Sequence, residues 1–111
     1  MNKDTLWNDV LQMVRSMEKV PTLKGQAEAK VISVEDNKID LELDKGKVIS
    51  IVKNDFEKAL NALEKNGRVR QRFVKKPLVE RYVLGLMKLL PSFEDVKEYD
   101  GDQLKTFVKF K

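Results

Sequence analysis

Hydrophobic and polar positions along this chain follow two periods, and the changes between them divide it into elements. Leu6, Trp7, Val10, Leu11, Val14 and Met17 recur every three to four residues, which predicts an amphipathic helix from roughly Asp4 to Lys19. Asp4 or Thr5 would cap it. Val20–Pro21 would end it, because proline pushes the residue before it out of the helical region. "TLKGQ" reads as a short linker.

The period then falls to two. In "AEAKVISV" the alternation of Ala27, Ala29 and Val31 with Glu28 and Lys30 is imperfect, because Ile32 falls on the polar side. In "KIDLELD" it is clean: Ile39, Leu41 and Leu43 against Asp40, Glu42 and Asp44 predict a half-buried antiparallel strand with a solvated acidic face. "EDNK" and "DKGK" supply the turns, with Gly46 able to take positive φ. "KVISIVK" is apolar on both faces, the pattern of a central or doubly covered strand.

A second helix follows, with Asn54 and Glu57 as a capping box and Phe56, Ala59, Leu60 and Leu63 on one face. Asn66–Gly67 is a left-handed stop. "GRVRQRFVKKP" then reads as a strand, with Val69, Gln71 and Phe73 inward and Arg68, Arg70 and Arg72 outward. Pro77 suits the first turn of a third helix that runs to Leu90 and stops at Pro91. Leu84, Met87 and Leu89 widen its apolar surface beyond one stripe. Gly85 there costs about 1 kcal/mol against Ala, which points to close packing of a neighbour. Residues 92–103 read as an acidic loop, and "LKTFVKFK" alternates like a C-terminal edge strand.

These elements predict one α+β domain over residues 1–111. Its antiparallel sheet has about four to five strands packed with three helices, in the order α-β-β-β-α-β-α-β.

Composition narrows the chemistry. Neither Cys nor His is present, which removes disulfides, the usual zinc sites, His-based triads and the usual general base near neutral pH. The five glycines are scattered, so the chain has no P-loop or dinucleotide fingerprint. The sequence therefore predicts a non-enzymatic protein with no cofactor, no metal, no small-molecule ligand and no membrane association. No apolar stretch suggests a leader or a membrane span, and a cytoplasmic location is expected. Abundant Lys and Glu without Cys is the composition of proteins from very hot environments. In that respect the chain resembles small, uncharacterised proteins of hyperthermophiles, a resemblance that implies no activity.

Charge adds a local asymmetry. Residues 67–91 carry seven basic side chains against one acid, Glu80, so the rest of the chain, at an overall +4, is net acidic. Arg68, Arg70, Arg72, Lys75, Lys76 and Arg81 are thus candidate contacts for nucleic acid or a protein partner, since the guanidinium fork suits phosphate. "ALEKNGRVRQRF" also resembles the end of a winged-helix domain, where a helix is followed by Gly and a basic wing strand. The resemblance implies DNA contact and covers about a dozen residues, but the strand meander upstream departs from the two helices such a domain would need there.

Carboxylates offer less. Glu35, Asp36, Asp40, Glu42 and Asp44 have the spacing of a solvated hairpin face. Glu28-Ala29-Lys30 has the Glu-x-Lys form used by metal-dependent nucleases, a remote alternative in which Asp9 would have to be the partner. The leading expectation comes from the apolar excess. Trp7, Leu84, Met87 and Leu89 exceed what one small layer should hide, and they predict a protein-interaction surface, most simply of a symmetric homodimer. Non-specific nucleic-acid binding through residues 68–76 is the alternative.

Overall fold

A computed structural model describes residues 1–74 and 76–111. Among them the protein is α+β, with a four-stranded antiparallel sheet, a two-stranded sheet and four helices. No helix is long and apolar enough to cross a membrane.

Helix α1 (Lys3–Val14) buries Leu6, Trp7, Val10, Leu11 and Val14. Its cap is Asn2, whose side chain accepts the Thr5 N–H at 2.8 Å, one turn earlier than the sequence predicted. The helix also ends sooner than expected. Val20 leaves it for a buried place opposite Ala29 in a short strand, β1 (Lys19–Pro21), where Pro21 sits on the sheet's last strand and needs no inward N–H.

The sheet continues as a meander through β2 (Glu28–Val34), β3 (Ile39–Glu42) and β4 (Val48–Ile51), in the order β1-β2-β3-β4. Register shifts between Val31 and Ser33, which places Ile32 at a bulge and accounts for the broken alternation. β4 is terminal rather than central. Ile49 and Ile51 face the core while Val48 is exposed, so its second apolar face is left to solvent.

Helix α2 (Lys53–Asn66) begins one register earlier than the Asn54 cap. Val52 occupies the cap position, and the carboxylate of Asp55 accepts the Val52 N–H at 2.9 Å. Valine cannot return a side-chain bond, so only this half of a capping box exists. Gly67 closes the helix in the left-handed region at φ 76°, as predicted.

Beyond Gly67 the expected basic strand is a single bridge. Val69 exchanges both backbone hydrogen bonds with Val108, at 3.0 and 2.8 Å. The chain then coils into α3 (Gln71–Val74), which buries Val74. Leu78 follows in the left-handed region at φ 69°, and α4 (Glu80–Met87) comes next. Residues 93–100, read from sequence as part of a loop, form β5 (Phe93–Asp100). It pairs along its whole length with β6 (Gln103–Phe110) through a turn at Gly101 and Asp102. The loop reading failed because β5 is charged at most positions and its ion pairs come from other segments: Glu98 with Lys109 and Arg68, and Asp100 with Arg70. On its other side β6 is bridged only at Val108, by Val69, in an otherwise two-stranded sheet.

From α2 onward the order is helix, bridging strand, helix, helix, hairpin, with the bridge on the hairpin's second strand. In α4, Tyr82 to Met87 are all buried. β1 covers one side of it so closely that a Cβ on Gly85 would lie 1.9 Å from the Pro21 carbonyl oxygen.

Candidate nucleic-acid interface

The basic stretch is largely occupied within the protein. Arg68 donates to the Tyr99 carbonyl at 2.9 Å and to Glu98 at 3.3 Å, and its guanidinium lies 4.0 Å from the centroid of the Phe107 ring. Arg70 pairs with Asp100 at 2.7 Å. The hairpin carboxylates respond accordingly. The hydrogen bond from Arg70 holds Asp100 below the usual carboxylate range, and Glu98 is lowered by hydrogen bonds from Lys109 and then Arg68. Lys76 reaches back to Asp55, a carboxylate only 1% exposed, at 2.9 and 3.0 Å. Arg72 is exposed near Phe73, with no ion pair among the described residues. Lys75 lies outside the described residues. The three arginines do not form an outward row. The chain turns helical after Arg70, which destroys the period of two, and β5 offers carboxylates to the first two.

Of the four residues expected at an oligomer interface, three belong to the protomer's own core. Trp7 packs on Phe56 with ring centroids 5.7 Å apart and donates its indole N–H to the Asp36 carbonyl at 2.9 Å. Leu84 and Met87 are fully buried in α4. The wide apolar surface of that helix is consumed on two sides, by β1 and by α2 and α3, an arrangement that one-dimensional counting of stripes cannot anticipate. Leu89 alone remains exposed, beside Asp9 and Met13 in a shallow depression of about 350 Å³. Glu28 lines a separate depression, so the Glu28–Lys30 segment and Asp9 are not brought together. On the acidic hairpin face Asp40 is internally satisfied. Ser50 and Ser33 donate to Asp40 at 2.6 and 3.0 Å, and the Ser50 bond foremost keeps that carboxyl below its usual range.

What the fold does assemble is a cationic trough. Thr22 to Gly25 form a tight turn closed by the Gly25 N–H on the Thr22 carbonyl at 3.0 Å, with Gly25 at φ 72°. Two bonds hold this turn against α4: the Leu23 N–H donates to the Arg81 carbonyl at 3.0 Å, and Lys88 donates to the Leu23 carbonyl at 2.9 Å. Lys24 is thereby carried to the first turn of α4. Two adjoining hollows result. One, of about 180 Å³, is lined by Lys24, Arg81, Gln71, Gln26 and Thr22. The other, of about 50 Å³ toward the hairpin, is lined by Lys24, Arg70, Gln71, Lys105 and Thr106. No carboxylate is among the described lining residues of either. Past Gln26 and Ala27 the surface opens into a larger depression of about 550 Å³, where Glu28, Glu42 and Asp44 oppose Lys19 and Lys30. The cationic section is therefore bounded at one end by acid and at the other by the projecting hairpin.

Of the basic residues singled out from sequence, Arg70 and Arg81 reach this trough. Lys24, Lys105 and Gln71 were missed as contacts. Lys24 lies in the segment read as a linker, and the Lys-Gly pair of a tight turn was its one visible signal. Lys105 was read as an edge-strand lysine. Against known proteins, no family model, curated protein or solved structure was found to match the chain.

Proposed function

We propose that this chain is a nucleic-acid-binding module that grips the phosphate backbone without reading sequence. The observation carrying this reading is the convergence of Lys24, Arg81 and Lys105, from three separate segments, on one trough lined otherwise by amides, hydroxyls, a few apolar groups and Arg70, which is itself paired with Asp100. Charged forks and ammonium groups beside hydroxyl and amide donors are the chemistry that recognises phosphate oxygens. From α2 onward the order helix, bridging residue, helix, helix, hairpin resembles that of a winged helix-turn-helix, which adds support by fold-level analogy only. Sequence readout is disfavoured because α4 is packed on two sides and cannot lie in a major groove.

Self-association has less support, since Trp7, Leu84 and Met87 are buried within the protomer, although Leu89 and Val48 stay exposed. A monomer mass in light scattering is expected.

The test is fluorescence anisotropy with labelled oligonucleotides at 50 mM salt. With about three phosphates engaged, log K should fall against log salt with a slope of about −2 to −3. Reversing charge in the double variant Lys24→Glu/Arg81→Glu should weaken binding by at least tenfold. Unchanged binding in that variant, or no binding by the parent protein, would overturn the proposal.

A further inference from the structure

We infer that the nucleic acid held here is single-stranded and that Tyr99, at the tip of the β5–β6 hairpin, stacks on its bases. The inference rests on the phosphate-binding reading above and adds the class of polymer and a second subsite.

Three observations carry it. Tyr99 is 66% exposed and stands directly opposite Leu104, itself 55% exposed, so the hairpin tip offers an unpartnered aromatic and aliphatic pair. This pair adjoins the trough. Thr106 and Lys105, successive residues on opposite faces, both line the hollow shared with Lys24 and Arg70, so it lies along the β6 edge, and Tyr99 and Leu104 are the next pair outward on the Thr106 face. Same-face positions along a strand are separated by about 6.7 Å, within the reach of one nucleotide in an extended chain. A backbone leaving the cations at Thr106 would bring its next base onto Tyr99.

The tip is also braced. Arg68 donates to the Tyr99 carbonyl and Arg70 pairs with Asp100, so both residues flanking the turn on β5 are anchored to the segment before α3. That is a rigid mounting for an exposed ring, and it gives the basic stretch a purpose distinct from direct contact. A duplex fits this layout poorly. Its bases are already stacked on one another, whereas stacking on an aromatic side chain requires a free π-face. The far end of the trough, where Glu28, Glu42 and Asp44 outnumber Lys19 and Lys30, offers a second phosphate backbone no net attraction.

The experiment compares labelled dT12 and rU12 single strands, a 12-base-pair duplex, and an abasic deoxyribose-phosphate strand of equal length. It uses the parent protein, Tyr99→Ala and Tyr99→Phe. Both single strands should bind at least tenfold tighter than the duplex, and the dT12 and rU12 arms show whether the sugar matters. Tyr99→Ala should weaken dT12 binding by about 5- to 100-fold, the range for losing one base–aromatic stack. Tyr99→Phe should retain it, and the abasic strand should bind the parent and Tyr99→Ala alike with the same salt slope. If duplex and single strand bind equally, or if Tyr99→Ala binds dT12 unchanged, this inference fails while backbone binding stands. If Lys24→Glu/Arg81→Glu also has no effect, the phosphate-binding reading fails with it.

Discussion

Gly85→Ala is the sharpest test of how the two halves of this protein are joined. On an exposed helix the change would stabilise by about 1 kcal/mol. Here the added Cβ would meet the Pro21 carbonyl oxygen at 1.9 Å and the Pro21 carbonyl carbon at 2.9 Å. The shortest ordinary carbon–oxygen contact is about 3.3 Å, so α4 and β1 must separate by roughly 1.4 Å. Both opposing groups are backbone, and no rotamer change can relieve the conflict. Overpacking of a core costs about 1–3 kcal/mol, occasionally more, and a backbone clash belongs at the upper end. After subtracting the propensity gain, the expected loss is about 2 kcal/mol, a large share of the roughly 5–15 kcal/mol that holds a domain folded. Urea unfolding followed by far-UV circular dichroism should show a lower midpoint at unchanged m, with a fall in melting temperature of roughly 8–12 °C. The same displacement loosens the Leu23–Arg81 and Lys88–Leu23 bonds that place Lys24, so oligonucleotide affinity should drop as well. A Gly85→Ala protein as stable as the parent, or more so, would refute the close approach of β1 and the trough built on it.

Two further outcomes follow from ion pairs. Asp55→Ala removes the acceptor for the Val52 N–H and the partner of Lys76, and should cost about 3 kcal/mol in urea unfolding. Asp55→Asn, which can still accept from Val52, should cost less; equal losses would mean that the Val52 bond adds nothing beyond the charge pair with Lys76. Glu98, Asp100 and Asp40 all have carboxyl pKa values lowered in the folded state. Their contribution is therefore fully present above the unfolded-state values of about 3.9–4.3 and is lost as pH falls through the folded values. The unfolding midpoint should be insensitive to these groups between pH 7 and 5 and decline below about pH 4. Glu98→Gln/Asp100→Asn should flatten that decline, and an unaltered acid limb would contradict the bracing role of Arg68 and Arg70.

Much of this architecture was legible in the residues. The periodicity of Leu6 to Val14, the clean alternation of Ile39 and Leu41, and the Asn66–Gly67 stop are local signals, and each produced its element. Gly85 was recognisable as a misfit in a helix and so as a packing contact. Local signals depend on neighbours in sequence, which is why they survive being read along one dimension. β5 was missed for the converse reason. Its residues are charged at most positions, and what makes them a strand is the pairing with β6, Lys109 and the arginines of another segment.

The sequence by itself determined the α+β class, most of the element order, the chemistry excluded by the lack of Cys and His, and the location of a basic stretch. Tertiary structure alone decided what each charge and each apolar face would meet. Arg68 and Arg70 became braces for a hairpin because β5 brings carboxylates to them. Trp7, Leu84 and Met87 became core because α4 is covered on two sides. Lys24, Arg81 and Lys105, unremarkable and far apart in the chain, became neighbours around a trough. Secondary structure follows from short-range preferences, whereas a site is an intersection of distant segments, and that intersection is set by the packing of the whole core.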